Sequence, residues 1–272
     1  MFNEKHPKRP PLMYYGGGFR RAKKIIALMP NHDAYLEPCF GAGGVFIKKS
    51  RAKYETVNDA DSRVTNFFRV LRDSGNELLD LINLTPWAEN EYKLTAQVAD
   101  DPLEDARRFF FLCWMSIKGG PVFENGFRFQ KNPQNRYSPP PFDALSRDDL
   151  LVTAERLKGV QILNRDGLTV IDMFIKHDVL IYFDPPYVSD TRKRKRGYNV
   201  EPGQNWHREA ARLLTKARGP VLVSGYWSPL YVDLYENAGF VRVDFQQRTN
   251  GRRIGKECVW MSPLAAELVG RS

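Results

Sequence analysis

The sequence predicts a doubly wound α/β domain, and three observations indicate this fold. A glycine-rich turn at residues 41–44 directly follows a short predicted strand, and Asp59 follows the next strand along the chain. A segment with helical spacing of apolar residues comes after it, which completes the front half of such a domain. Later, residues 179–183 form a continuous apolar segment of the kind that is buried in a parallel sheet.

The length and composition fit one good-sized domain with a substantial core. Of 272 residues, 42% are hydrophobic and 27% are charged, which excludes a disordered chain. The longest apolar run, residues 109–117, is less than half of the ~20 residues that a membrane-spanning helix needs. No apolar signal segment follows the basic N-terminus, so we expect a soluble, cytoplasmic protein.

The cysteines and the net charge limit the kinds of partner. Cys39, Cys113 and Cys258 are far apart and form no Cys-x-x-Cys pair, so neither a disulfide framework nor a structural zinc site is expected. The formal net charge is +9 at pH 7. Such an excess suits a polyanionic partner, although it is also compatible with solubility alone.

The first part of the chain supplies the front half of the sheet. Residues 1–11 are expected to form a flexible basic arm, followed by a glycine-containing segment and a helical stretch that ends before Pro30. Residues 34–36 and 54–57 are predicted strands. Residues 62–73 are a predicted helix, because the apolar residues within them recur at helical spacing.

The middle of the chain differs in composition and lacks predicted strands. Residues 76–117 are predicted to be helical, and Asp101-Pro102 is a plausible start for the last of these helices. Residues 118–141 are rich in Gly, Asn, Pro, Arg and aromatic residues without a sustained period, and 147–157 is one more predicted helix. We therefore expect a helical and loop-rich insertion at 76–157.

After the insertion the α/β alternation returns. Strands are predicted at 160–163, 179–183, 221–223, 241–245 and 258–261, with helices at 168–176, 206–216 and after Ser228-Pro229. The expected organisation is one domain built from residues 12–75 and 158–265, interrupted by the insertion and followed by a tail at 266–272.

The strongest chemical signal is Asp184-Pro185-Pro186-Tyr187, which directly follows the buried strand at 179–183. Open α/β sheets bind ligands at the carboxyl ends of their strands. The two prolines have no N–H, so carbonyl oxygens lie beside a carboxylate and an aromatic face. Such a set can accept hydrogen bonds from the exocyclic amine of adenine or cytosine and stack on its ring. The alternative is a strand-ending turn with a structural tyrosine.

A second signal follows the first predicted strand, in residues 37–44. Glycines there let a ligand approach the backbone closely. The complete dinucleotide pattern Gly-x-Gly-x-x-Gly is absent, because Phe46 stands where its third glycine would be. Asp59 lies about where an acidic residue binds ribose hydroxyls, and capping of the following helix is an equally plausible role for it.

Taken in order, these motifs resemble the Dam-like DNA adenine-N6 methyltransferases that use S-adenosylmethionine. The resemblance covers almost the whole chain. It rests on Tyr-Tyr-Gly-Gly at 14–17, Glu37-Pro38 with Gly41 and Gly43, Asn58-Asp59, the helix at 66–73, Asn164-Arg165-Asp166, Asp184-Pro185-Pro186-Tyr187, Ser224-Gly225-Tyr226 and Glu257-Cys258-Val259-Trp260.

The resemblance implies a fold and a reaction. The fold would be a Rossmann-like S-adenosylmethionine-dependent methyltransferase sheet, with residues 76–157 as a target-recognition insertion. The reaction would transfer a methyl group from S-adenosylmethionine to the N6 of an adenine that is flipped out of double-stranded DNA. The methyl group on a sulfonium is already activated, so no metal is expected.

The resemblance also implies roles for single residues. The target amine would be bound by Asp184 and the Pro185 carbonyl, and Tyr187 would stack on the base. Cofactor-binding residues would be Tyr14, Tyr15, Gly16, Gly17, Glu37, Pro38, Phe40, Gly41, Asp59, Asp166 and Asp184. Among these, Glu37 would face the methionine end, Asp59 the ribose and Asp166 the adenine.

The sequence departs from the family pattern at two positions. Gly18 stands where the family commonly has a lysine that pairs with the cofactor carboxylate, and Cys39 stands where an aromatic residue is usual. Arg20, Arg21 and Lys23 are the candidates for supplying the missing charge.

Candidate DNA contacts fall into two groups. A basic run closely follows the catalytic motif and suits phosphate contacts, although such runs are usually solvated surface. The insertion carries further candidates, of which Asn125, Arg128 and Gln130 suit base edges. The two groups comprise Arg192, Lys193, Arg194, Lys195 and Arg196, and Lys118, Asn125, Arg128, Gln130 and Lys131.

Two alternatives to this function stay open. The enzyme could methylate another amine, such as cytosine N4, an RNA base or a protein glutamine. The chain could also be a catalytically inactive DNA-binding protein on the same scaffold, for which Gly18 is the only support. A cognate restriction endonuclease is a candidate partner, while the recognition sequence and the oligomeric state stay open.

Overall fold

The computed structural model describes residues 6–14, 18–117, 119–122, 126–129, 147–188, 199, 202–246 and 256–271. These residues form an α/β fold around a seven-stranded sheet with the order β3-β2-β1-β4-β5-β7-β6. Helices cover both faces of the sheet, so the predicted fold class is confirmed.

The predicted strands are all present in the sheet. Strands β1 to β5 run parallel to one another, whereas β7 is antiparallel to both β5 and β6. Their bounds are β1 Ala34–Glu37, β2 Tyr54–Asn58, β3 Gln161–Leu163, β4 Leu180–Phe183, β5 Val221–Tyr226, β6 Val241–Gln246 and β7 Lys256–Met261.

The helices also follow the predicted order. Their bounds are α1 Ala22–Ile26, α2 Ser62–Asp73, α3 Gly75–Leu84, α4 Glu89–Leu94, α5 Pro102–Met115, α6 Arg147–Leu157, α7 Gly167–Phe174, α8 Gln204–Leu214, α9 Pro229–Tyr231, a π-helix at Val232–Glu236 and α10 Pro263–Leu268. Asp101 caps α5 as expected, because its side chain accepts a hydrogen bond from the backbone N–H of Glu104.

Helix α1 is shorter than the sequence predicts. The expected helix continues through Met29, whereas α1 ends at Ile26. The backbone N–H groups of Leu28 and Met29 bond to carbonyls three residues earlier, at 2.9 and 3.0 Å, which tightens the last turn. Pro30 disfavours helical backbone at the residue before it, which explains the early end.

The described residues form one hydrophobic cluster on each face of the sheet. On one face, α2, α3, α5 and α6 pack together through residues such as Phe67, Phe109 and Phe110. On the other face, α7 and α8 pack with Tyr231 and Tyr235. The helices of the predicted insertion therefore share the core that covers one side of the sheet.

The end of α6 is fixed to the beginning of β2 by buried charges. Glu55 accepts hydrogen bonds from Arg156 at 2.5 and 2.8 Å and from Lys49 at 2.7 Å. Arg51 donates to the carbonyls of residues 155, 156 and 158 at the end of the same helix, at 2.7 to 3.1 Å. These contacts satisfy carbonyls that a helix end leaves unpaired.

Candidate active site

A cavity lies at the carboxyl ends of the parallel strands. It is open to solvent, and its walls are formed by the turn after β1 and by the residues after β2 and β4. Ten residues that the sequence predicts for the site line it: Tyr14, Glu37, Pro38, Phe40, Gly41, Asp59, Asp166, Asp184, Pro185 and Tyr187. The two motifs that the sequence singles out therefore face one space.

The glycine-rich turn after β1 forms one wall of the cavity. Gly41 and Gly43 have φ of 51° and 63°, a left-handed conformation that glycine adopts without strain. A Cβ atom at Gly41 would lie 3.3 Å from the ring of Tyr14, and one at Gly43 would lie 2.4 Å from the ring of Phe40. The turn thus has room for hydrogen only, and Tyr14 packs directly on it.

Asp59, at the end of β2, holds this turn in place. One carboxylate oxygen accepts the backbone N–H of Gly41 at 2.7 Å, and the other accepts that of Asp61 at 2.9 Å. Burial raises the pKa of Asp59 to about 6, and the two N–H donors oppose that rise. Each oxygen retains a second lone pair, so the carboxylate can also accept hydrogen bonds from a ligand.

Asn58 joins three of the strand ends that surround the cavity. Its side chain is fully buried, donates to the carbonyls of Pro38 and Arg165 at 2.9 and 3.0 Å, and accepts the N–H of Arg165 at 2.9 Å. The sequence identifies Asn58 only as part of a motif. The signal for its role is an amide side chain directly after a buried strand and before an acidic residue.

Glu37, at the end of β1, is a buried carboxyl. It is 2% exposed and accepts a hydrogen bond from the phenol of Tyr35 at 2.7 Å. Burial raises the pKa of Glu37 well above its ordinary value, and the nearby charge of Asp184 adds to the rise.

The residues after β4 place a carboxylate and an aromatic ring at the cavity. Burial raises the pKa of Asp184, and this is opposed by Arg21 and by side-chain hydrogen bonds with Tyr187 and Tyr182. Tyr187 is 8% exposed, donates to Glu257 at 2.9 Å and packs edge-on against Tyr226 with ring centroids 4.9 Å apart. Its ring is therefore held on two sides.

Asp166 lies at the far end of the cavity, before α7. It caps that helix by accepting the N–H of Leu168 at 2.8 Å, and its other oxygen accepts the indole N–H of Trp206 at 3.2 Å. Trp206 stacks on Phe183 with a centroid distance of 5.7 Å.

Among the lining residues that the sequence does not single out, two carry side-chain N–H donors. These are Trp206 and Asn199, whose amide donates to Asp61 at 2.8 Å. Both reach the cavity from segments that follow Tyr187 in the chain.

Of the three cations that the sequence offers near Gly18, Arg21 contacts Tyr187, which follows β4. Its guanidinium pairs with Glu257 and donates to the phenol oxygen of Tyr187 at 3.3 Å. Arg20 and Lys23 are exposed. Gly18 itself faces Asp184, since a Cβ atom there would lie 3.8 Å from one of its carboxylate oxygens.

Several candidate residues lie outside the described part of the chain. They are Tyr15, Gly16, Gly17, Lys118, Asn125, Gln130, Lys131, Arg192, Lys193, Arg194, Lys195 and Arg196. Arg128 is described, and it donates to the carbonyl of Ser116 at 3.1 Å. That contact uses one of the five N–H donors of its guanidinium.

Neither a metal centre nor a membrane span is found in the residues that the structure describes. No group of three or more His, Cys, Asp or Glu side chains there is placed to hold a metal ion. None of the described helices is long and apolar enough to cross a bilayer.

Three relatives resemble the chain over most of its length. A Type II methyltransferase, M1.LlaDCHI of Lactococcus lactis subsp. cremoris, is 24% identical over 270 residues, covering 90% of each chain. A DNA adenine methylase of Serratia marcescens is 23% identical over 268 residues, 91% of this chain and 94% of that one. A DNA N-6-adenine-methyltransferase of Escherichia phage P1 is 26% identical over 250 residues, 86% of this chain but 32% of its own.

A family model also matches most of the chain. Residues 14–249 match the model of the D12 class N6 adenine-specific DNA methyltransferases. The matched range begins at Tyr14 and includes the glycine-rich turn, Asp59 and the residues after β4 that meet in the cavity. The chain therefore belongs to the family of D12 class N6 adenine-specific DNA methyltransferases.

Proposed function

We propose that this chain transfers the methyl group of S-adenosylmethionine to the N6 amine of an adenine extruded from double-stranded DNA. Adenine and DNA follow from the family; the cofactor and the residue roles are the proposal. The observation that carries it is the shared cavity, because the glycine-rich turn and Asp184 to Tyr187 line the same space.

The residues present fit such a cofactor. S-adenosylmethionine presents donors, namely two ribose hydroxyls, an ammonium and an adenine amine, and the cavity wall is rich in carboxyl acceptors. The turn lines the cavity through Gly41, Ala42 and Gly44, whose small or absent side chains let a ligand approach the backbone closely. When bound, the cofactor supplies a methyl group on a sulfonium, which needs no metal to activate it.

The proposed cofactor contacts run along the carboxyl ends of β1, β2 and β3. Asp59 would accept from the ribose hydroxyls with the lone pairs that its two backbone donors leave. Glu37 faces the methionine end, and Asp166 faces the adenine. Tyr14, Pro38 and Phe40 supply apolar contacts around the turn. We place Tyr15, Gly16 and Gly17 with them by their position in the family motif.

The proposed target site is formed by Asp184 to Tyr187. The Asp184 carboxylate and the Pro185 carbonyl accept the two hydrogens of the adenine amine, which directs its nitrogen lone pair at the methyl group. Tyr187 stacks on the base. Alignment of this kind supplies ~7–11 kcal/mol of a reaction barrier. Asp184 need not act as a strong base, because the amine becomes acidic once it is methylated and then releases a proton.

The adenine must leave the duplex to reach this cavity, which costs a few kcal/mol. We propose that the basic run at 192–196 contacts phosphates near the cavity mouth, since it follows Tyr187 closely in the chain. We further propose that the insertion contacts DNA through Lys118, Asn125, Arg128, Gln130 and Lys131, of which Asn125, Arg128 and Gln130 read base edges. A cognate restriction endonuclease is a proposed partner.

One experiment tests the reaction and identifies the target. The purified protein is incubated with S-adenosylmethionine and unmethylated genomic DNA, followed by nucleoside mass spectrometry and methylation-sensitive sequencing. We expect N6-methyladenine in one sequence context. Methylation of cytosine N4 would overturn the base assignment but keep the cofactor. Saturable binding of labelled cofactor without DNA methylation would point to an RNA or protein amine. Absence of cofactor binding would support the inactive scaffold.

A further inference from the structure

Three residues from distant parts of the chain meet behind the catalytic motif. Arg21 precedes α1, Glu257 lies in β7 and Tyr187 follows β4. The guanidinium of Arg21 pairs with the carboxylate of Glu257, and the phenol of Tyr187 joins both, at 2.9 Å to Glu257 and 3.3 Å to Arg21. The sequence predicts Arg21 only as a candidate partner of the cofactor carboxylate, and it predicts no separate role for Glu257.

This ion pair is almost removed from solvent. The side chains of Arg21 and Glu257 are 12% and 4% exposed. Desolvation of two charges offsets much of their attraction, so a buried ion pair is weak support for stability by itself. Its position against Tyr187 suggests that it serves the site rather than the fold.

Arg21 also lies beside Asp184, because its backbone N–H donates to the carbonyl of Gly18 at 2.9 Å and Gly18 faces the Asp184 carboxylate. Arg21 is the cation that opposes the burial of this carboxylate, and the raised pKa of Arg21, despite its own burial, reflects Tyr187, Asp184 and Tyr182 around it. The other titratable groups that face Asp184 are Tyr182 on its own strand, Tyr187, Glu37 and Cys39 from the end of β1, and Tyr231 from α9. None of these groups carries a positive charge that would oppose the effect of burial on the pKa of Asp184.

We propose that Arg21 and Glu257 are positioning residues for methyl transfer. The pair fixes the phenol of Tyr187, so that the ring keeps one orientation toward the target base. The Arg21 charge also keeps Asp184 in the carboxylate form, which is the form that accepts a hydrogen bond from the amine. This inference rests on the proposed function of the cavity.

Kinetics of three variants test the proposal. We expect Arg21→Gln to lower kcat about tenfold or more with little change in the KM for DNA, and to move the acidic limb of the kcat profile to higher pH. Arg21→Lys keeps the charge, so the limb should return toward its original position. Glu257→Gln keeps an acceptor for Tyr187 but removes the paired charge, so kcat should fall while the limb stays near that of the unchanged protein.

A matched control separates positioning from folding. Arg63 pairs with Asp105 at 3.0 Å between α2 and α5, and their side chains are 10% and 7% exposed, much like those of Arg21 and Glu257. Neither residue lines the cavity. Arg63→Gln should lower Tm without moving the pH profile of the folded fraction. Equal profiles for Arg21→Gln and the unchanged protein, or an equal shift in Arg63→Gln, would overturn the proposal.

A measurement without substrate keeps this inference separate from the proposed function. The titration of the Asp184 carboxyl carbon is followed by NMR in the unchanged protein and in Arg21→Gln. We expect a higher midpoint in the variant, and an unchanged midpoint would refute the electrostatic role. If the unchanged protein methylates no substrate, the proposed function fails, and this titration still decides whether Arg21 controls Asp184.

Discussion

The backbone N–H of Gly41 donates to Asp59 at 2.7 Å, which joins the turn after β1 to the end of β2. The carboxylate therefore has two tasks in the proposed site, because it holds the wall of the cavity and also accepts from the ribose. A substitution at Asp59 changes the shape of the turn as well as one ligand contact.

The buried carboxyl of Asp59 should leave a signature in the pH dependence of stability. Its pKa is raised to about 6 from an ordinary 3.8, so the folded protein retains this proton while the unfolded chain loses it. The stabilising contribution is present at low pH and is lost as pH rises through about 6. Asp59→Asn cannot titrate. We expect the free energy of unfolding of the unchanged protein, relative to this variant, to fall by about 3 kcal/mol at most between pH 4 and 7.

Denaturant unfolding of both proteins across that pH range checks this expectation. A difference in unfolding free energy that stays constant, or that grows with pH, would show that the pKa of Asp59 is not raised. Asp172→Asn is a suitable control, since Asp172 is exposed on α7 and no part of it lines the cavity.

Replacement of Asp184 should separate catalysis from DNA binding. Asp184→Ala removes an acceptor for the target amine, and we expect methyl transfer to fall by about 100-fold or more, as on loss of one positioned polar group. Non-specific DNA binding should persist, because phosphate contacts dominate it. Single-turnover methylation and filter binding measure the two quantities. Retention of methylation would contradict the assignment of Asp184.

A pair of glycine substitutions tests the wall of the cavity. Gly43 and Gly159 have similar φ, 63° and 78°, so alanine at either position incurs a similar backbone strain of about 1–2 kcal/mol. A Cβ at Gly43 would collide with the ring of Phe40, whereas one at Gly159 meets nothing within 4 Å. We therefore expect Gly43→Ala to weaken cofactor binding about tenfold or more and Gly159→Ala to leave it nearly unchanged.

Calorimetric titration with S-adenosylmethionine, carried out on folded protein, gives both affinities. Equal losses in the two variants would attribute the effect to backbone strain alone. No loss in Gly43→Ala would mean that Phe40, with which the new Cβ collides, does not contact the cofactor.

Neutralisation of residues 192–196 should reduce the salt dependence of DNA binding. Each phosphate contact contributes about 0.9 to the slope of log affinity against log salt, so five contacts contribute about 4.5. A matched control neutralises five exposed cations that precede parallel strands and so lie at the opposite edge of the sheet: Lys53, Lys158, Lys176, Lys216 and Arg218. Fluorescence anisotropy at several salt concentrations measures the slopes. An unchanged slope in the first variant would show that residues 192–196 are solvated and do not contact phosphates.

Much of the fold follows from local patterns in the sequence. Helix α2 has the predicted bounds because its apolar spacing and the cap at Asp61 are both local. Strand β5 is longer than predicted, since it continues through Ser224, Gly225 and Tyr226. Gly225 does not favour a strand by itself, and pairing with Cys258 on β7 keeps it in the sheet.

The candidate site is predictable only where its residues occur in motifs. The residues at 37–41, Asp59 and 184–187 are recognisable because each group follows a strand. The contact between Arg21 and Tyr187 joins positions 166 residues apart, and no periodicity or spacing reveals such a pair. The same holds for the bond between Asn199 and Asp61. Contacts between side chains that are far apart in the sequence can therefore be identified only from the folded structure.

The buried charges around Glu55 have a consequence for how the DNA sequence that is recognised could change. Arg156 fixes the beginning of the second half of the chain to β2, and α5 on the other side packs into the same core. The stretch between Met115 and Arg147 therefore begins at the end of α5 and ends at the start of α6, and both helices pack in this core. If it reads DNA as we propose, substitutions within it can change which sites are methylated while the residues around the cavity keep their places.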